Sequence, residues 1–190
     1  MIAIGSRLFE SVMLDESIRA LFSGISPSTH YSPYNGPWNA LLNKCFPFEE
    51  GFMVLPIGPV ADGRDRVDYP VQAFAVKRIQ GANAHDVFML EVSKSDELNL
   101  ASKRKAADIR IRRRFGDVEN IPSTLHAASA FGTKLRLYKK DGESGIITPP
   151  NGHPCEEFEK DSCPKADWNV DILEETGFQM FVEHAMRRSD

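Results

Sequence analysis

Residues 86–115 read DVFMLEVSKSDELNLASKRKAADIRIRRRF. An apolar run, Val87-Phe88-Met89-Leu90, opens the stretch and is short enough for a buried strand. Glu91 breaks that run. A carboxylate at the end of a buried strand is costly unless it is paired or binds a cation. A short polar link follows, and then a strongly basic segment predicted as a helix over about 98–115. Seven basic residues fall within positions 103–114. Ala101, Ala106, Ile109 and Phe115 are expected to pack inward. Lys103, Arg104, Lys105, Arg110, Arg112, Arg113 and Arg114 are expected to line a positive, solvated face.

Upstream, GFMVLPI at 51–57 predicts a strand, and the polar loop from Pro59 to Arg66 contains the turn pair Asp62-Gly63. A second strand is predicted over about 67–78, with Pro70 near its start, where proline is tolerated. Gly81-Ala82-Asn83 marks a turn into the third strand, over about 86–92. Three strands on short links predict an antiparallel meander. An amphipathic helix over 7–23 carries Leu8, Val12, Ile18, Leu21 and Phe22, and Gly24 suits its end. Residues 25–37, rich in Ser, Pro, Tyr and Gly, are expected as a loop or linker. A second helix is predicted after Pro37, with Trp38, Leu41, Leu42 and Phe46, and Pro47 lies past its end.

Downstream, Pro122 is expected to start a short helix or turn through Ala130. KLRLYK at 134–139 alternates as a half-buried strand should. Asp141-Gly142 is a hairpin signal, with 145–148 as the returning strand. Residues 149–167 hold four prolines and many charges and are expected as a surface excursion. A last helix is predicted over about 171–188, interrupted by Gly177. Trp38 and Trp168 are expected as core anchors.

The chain has 190 residues, 42% hydrophobic and 26% charged, which suits one domain with a proper core. Its organisation is expected as 1–33, an N-terminal helix and linker; 34–148, the core; and 149–190, a surface loop and C-terminal helix. A formal net charge of -4 argues against a uniformly basic nucleic-acid binder but allows a local basic face. No apolar stretch approaches the ~20 residues of a membrane span, and no signal-peptide pattern opens the chain. Cys45, Cys155 and Cys163 are odd in number and widely spaced, which fits a reducing compartment, cytoplasmic or nuclear. His153-x-Cys155 with Cys163 and Cys45 lacks a zinc-knuckle spacing, and free cysteines are commonly buried hydrophobes.

Helix, three strands, helix, strand is the element order of the restriction-endonuclease-like core, the PD-(D/E)XK superfamily. YNGPWNALLNKCFP at 34–47, the acid-ending strand, LASKRKAADIRIRRRF, SAFGTKLRLYKKD at 129–141 and ADWNVDILEETG at 166–177 resemble a family of small fungal proteins with no established activity. The resemblance runs from Tyr34 to the C-terminus. It implies an α/β (α+β) domain, a central mixed sheet of about four to five strands flanked by helices. It further implies an acid on the second strand and Glu-x-Lys on the third.

Phosphodiester cleavage at such a site needs a divalent cation to neutralise phosphate and generate hydroxide. Magnesium, or manganese, prefers oxygen ligands, and two carboxylates with waters can hold it. Asp68 and Glu91 are the candidate metal-binding and catalytic acids. A lysine beside them would stabilise charge. The family pattern would put it at position 93, where this chain has Ser93. Lys94 follows, but strand alternation points it to the other face; a bulge after Glu91 would swing it inward. Lys77 is a second replacement, and Ile57 stands near the place of a glutamine common at such sites. Two functions therefore stand side by side. One is metal-dependent cleavage of nucleic acid by Asp68, Glu91 and Lys94. The other is a non-catalytic binding or interaction module that keeps the fold. In either, the helix residues Lys103, Arg104, Arg110, Arg113 and Arg114 are candidates for contacting phosphates. For Glu91 a structural salt bridge is the alternative reading, and for the helix a solvated face.

Overall fold

The apolar run at 87–90 forms the middle of the longest strand in a seven-stranded mixed sheet, seen in a computed structural model that describes residues 13–25, 33–58, 72–118, 121, 123–150 and 161–187. The strands are β1 (Phe52–Ile57), β2 (Gln72–Gln80), β3 (Asn83–Ser93), β4 (Thr124–Phe131), β5 (Lys134–Asp141), β6 (Ile147–Thr148) and β7 (Val170–Asp171). The helices are α1 (Glu16–Ser23), α2 (Asn35–Cys45), α3 (Ala101–Asp117) and α4 (Glu175–Met186). The strand order is β1-β2-β3-β4-β5-β6, with β7 pairing beside β5. β1, β2 and β3 are the antiparallel meander expected, and Gly81 turns the β2–β3 hairpin at φ 63°. β3 and β4 are parallel, so the chain crosses between them through α3. β4, β5 and β6 return to antiparallel pairing.

Side chains alternate across the sheet, and both faces of β3 are covered. Phe88, Leu90 and Val92 join the larger core with Phe74, Val76 and Ala128. α1, α2 and α4 complete this layer through Phe22, Trp38, Leu42, Phe181 and Val182. Trp38 is fully buried, donates from Nε1 to the Gly132 carbonyl at 3.0 Å, and meets Phe22 and Phe181 edge-on. On the other face α3 lies over the sheet. Ile111 and Phe115 pack on Met89, Leu125, Ala127 and Tyr138. Ala107 packs near Phe131, Leu98, Cys163 and Trp168. Trp168 is thus a core anchor as expected.

Four sequence expectations change. The short helix or turn after Pro122 is instead β4, a strand buried along almost its whole length. The sheet has seven strands rather than four to five, because β6 and β7 are two-residue strands at its far side. The inward stripe of α3 is Arg104, Ala107, Asp108, Ile111, Arg114 and Phe115; Ala101 and Ile109 are exposed. Within the 149–167 stretch expected as a surface excursion, Cys163 is buried. The N-terminal part of the first predicted helix and the 67–71 part of the second predicted strand lie outside the described residues.

Candidate functional site

The register places one row of side chains across the α3 face of the sheet, polar from Glu91 to Arg136. Ile57 stands opposite Ala73, Ala73 opposite Glu91, Glu91 opposite Ser129, and Ser129 opposite Arg136. This row separates the two apolar patches under α3. Glu91 is fully buried. An unpaired carboxylate there would cost several kcal/mol, on the order of its lost hydration. α3 supplies the pairing: Arg110 Nε donates to Glu91 Oε1, and Arg114 Nε lies 3.7 Å from Oε2. Arg110 also reaches Ser93 Oγ at 3.2 Å, and Arg114 donates to the Gly58 carbonyl at 3.0 Å. Burial pushes the Glu91 carboxyl above its ordinary range against the pull of Arg110 and Arg114, and the same burial lowers Arg114.

Further along the row Arg136 lies between the rings of Tyr138 and Trp168, at 5.3 and 5.4 Å from their centroids. Its NH1 stands 3.2 Å from Asp108 and 3.1 Å from Asp167. Asp108 also accepts from Tyr138 at 3.0 Å and from Arg112 Nε at 2.8 Å. Burial, followed by the Asp108 carboxylate, pushes the Tyr138 phenol strongly upward. Sequence reasoning did not single out Ser129, Arg136 or Tyr138. The available signal was the charge inside KLRLYK: Arg136 and Tyr138 share one face of a strand whose other face carries Leu135 and Leu137.

The predicted site residues are only partly brought together. Glu91 and Ser93 share the α3 face, as the strand period requires. Asp68 lies outside the described residues. The nearest described neighbour of Glu91 on β2 is Ala73, a methyl group. The bulge that would turn Lys94 inward is not formed, since β3 runs in register with β4 from Phe88 to Ser93. The irregularity of β3 lies instead at Val87, opposite the Val76/Lys77 step. Lys77 is committed to Asp86 at 2.9 Å.

The positive face expected of α3 is largely turned inward. Arg104 is buried and donates to the Cys163 and Leu98 carbonyls, each at 2.7 Å, and to Asp161. Arg114 is buried, and the Arg110 side chain is only 24% exposed. Arg112 holds Asp108 and the Pro149 and Pro150 carbonyls. Lys103, Lys105 and Arg113 remain exposed, with Lys103 paired to Glu97 at 3.1 Å. The physical reason is supply of acids: Glu91 on the sheet and Asp108 on the helix itself capture guanidinium groups. Arginine bridges such gaps because its long apolar stem buries while its fork reaches a carboxylate.

A magnesium site needs carboxylate oxygens with free lone pairs facing one point. Around Glu91 two guanidinium groups supply the positive charge instead. Among the described residues no group of three or more His, Cys, Asp or Glu side chains is placed to hold a metal. The described surroundings of Glu91 do not fit a magnesium or manganese ion. For zinc, Cys45 belongs to the α2 layer and Cys163 to the α3 layer, on opposite faces of the sheet, while His153 and Cys155 lie outside the described residues. Burial pushes the Cys45 thiol up to about 12, as befits a core thiol. No helix among the described residues is long and apolar enough to cross a membrane. Comparison with protein-family models, curated proteins and solved structures finds no match to this chain.

Proposed function

We propose that this chain is a restriction-endonuclease-like domain that works as a non-catalytic binding module, with Glu91 kept as a structural acid. The fold half of this reading draws support from the meander of three strands, the α3 crossover and the parallel β3–β4 pair. The functional half rests on one observation: Glu91 is sealed beneath α3 with Arg110 and Arg114 on its carboxylate. A carboxylate held this way neither gathers a cation nor faces a phosphate. The partner proposed is nucleic acid, met through the exposed α3 side chains Lys103, Lys105 and Arg113. Arg104, Arg110 and Arg114 serve the interior rather than that surface.

Metal-dependent phosphodiester cleavage by Asp68 and Glu91 is the second reading. One observation favours it: Glu91 Oε2 has no hydrogen-bond partner among the described residues.

A single set of assays separates the two. Purified protein is incubated with single- and double-stranded DNA and RNA in magnesium or manganese, and binding is followed by mobility shift across a salt series. The module reading expects salt-sensitive binding, weakened by Lys105→Glu and Arg113→Glu, and no cleavage beyond that of Glu91→Gln. Cleavage that Glu91→Gln abolishes and Ser93→Lys raises would overturn it. Absence of binding at low salt would remove nucleic acid as the partner.

A further inference from the structure

His126 and His184 lie on the opposite face of the sheet from Glu91. His126 stands on β4, opposite Phe88 of β3 and Lys139 of β5, and is 4% exposed. His184 is in the last turn of α4. The two rings meet edge to face, with centroids 4.6 Å apart and an interplanar angle of 88°. His184 Nε2 is 2.8 Å from the Tyr138 carbonyl and 3.2 Å from that of Ala127. Carbonyls only accept, so this nitrogen carries the proton and donates to both. The α4 end is therefore fastened to β4 and β5 by one imidazole N–H. His126 Nδ1 is buried and has no partner among the described residues.

Among the described residues, the charges that act on the pair have one sign. β5 brings Lys139 and the end of α4 brings Arg187, and both hold His126 and His184 toward the neutral form. β3 brings Phe88, and the acid two residues before it, Asp86, is taken by Lys77. β6 brings Thr148, opposite Lys139. Glu183, next to His184 on α4, is exposed to solvent. Burial first, then the neighbouring His184 ring, and after it these cations push His126 down to about 4. Burial also lowers His184, against the two carbonyls that favour its charge.

We propose that His126 and His184 form an acid-sensitive clasp, which fastens the last turn of α4 to the sheet when neutral and releases it when both rings are charged. Neutral rings pack edge to face and share one buried site. Two imidazolium ions there repel one another and, among the described residues, face the cations Lys139 and Arg187. The weakest attachment is the last turn, because Phe178, Phe181 and Val182 anchor the rest of α4 in the core. Release of that turn uncovers Ala185 and the apolar surface beneath it.

The test uses the full chain. Imidazole resonances and amide hydrogen exchange are followed by NMR from pH 7.5 to 4, with exchange corrected for intrinsic rates. Both histidines are expected to titrate below 6.5. Amides of the last α4 turn are expected to lose protection in the same interval while α2 keeps its own. Either ring titrating at or above 6.5, or α4 protection independent of pH, would overturn the proposal. His184→Gln keeps an N–H donor for the carbonyls without a titrating ring, and its α4 protection is expected to stay flat with pH. An acid loss of protection in that variant equal to the parent's would also overturn it. Should the variant not fold, the titration of the parent chain decides alone.

Discussion

Glu91 and Ser93 show how little a motif fixes until the opposing helix is known. Both lie on one strand face because the side-chain period is two, and that much follows from the sequence. Which cation meets Glu91 does not follow, since Arg110 and Arg114 stand about twenty positions along the chain. Breaking a buried ion pair strands the partner charge, whereas replacing the whole cluster by apolar groups of similar size is often neutral or better. Glu91→Leu is therefore expected to destabilise by about 3 kcal/mol, because it leaves buried Arg114 unpaired. Glu91→Leu with Arg110→Leu and Arg114→Met is expected to recover most of that loss. Urea unfolding midpoints at constant slope measure both. Equal stability of Glu91→Leu and the parent chain would show that the pairing carries no weight.

At the level of elements, the meander and the β5–β6 hairpin were legible because turn residues and apolar alternation agree there. β4 was not legible. Its sequence, TLHAASAF, holds three alanines and starts two residues after Pro122, so local preference speaks for helix or turn. A central strand flanked by parallel and antiparallel neighbours needs small side chains under two packed layers, and tertiary packing overrides propensity. The inward arginines of α3 were missed for a related reason: counting charges cannot tell a solvated face from one matched to acids on a sheet. Gly177 offers a test of the α4 docking. Gly→Ala inside a helix ordinarily stabilises by about 1 kcal/mol. Here an added Cβ would run into the Asp171 backbone. Gly177→Ala is expected to destabilise instead, by about 2 kcal/mol or more, the scale of overpacking. Thermal unfolding gives the sign directly, and a raised midpoint would contradict the contact between α4 and β7.

Over the whole molecule, the larger core runs from Leu14 to Ala185, so α1 and α4 belong to the same apolar layer as the segment at 34–148. Its stability should depend on pH through the two histidines. Folding lowers the proton affinity of both, so the unfolded chain binds more protons below 6.5, for His126 down to about 4. Stability contributed by the neutral rings is whole above 6.5 and is lost as pH falls through that interval. Asp15 acts lower: Lys44 beside it brings its carboxyl down to about 2, so its contribution is held above 3.8 and lost below. Denaturant unfolding at pH 7.5, 5.5 and 4.5 is expected to show a steady decline. His126→Phe with His184→Gln is expected to flatten that decline, and a slope unchanged in the double variant would place the acid sensitivity elsewhere.

The relation between Glu91 and a metal decides between a binding module and a nuclease. A crystal structure of the full chain soaked with manganese, read by its anomalous signal, tests it most directly. The expected result is no manganese at Glu91 and an unbroken contact from Arg110 to its carboxylate. Manganese held jointly by Glu91 and Asp68, with Arg110 displaced, would contradict the structural role assigned to that acid.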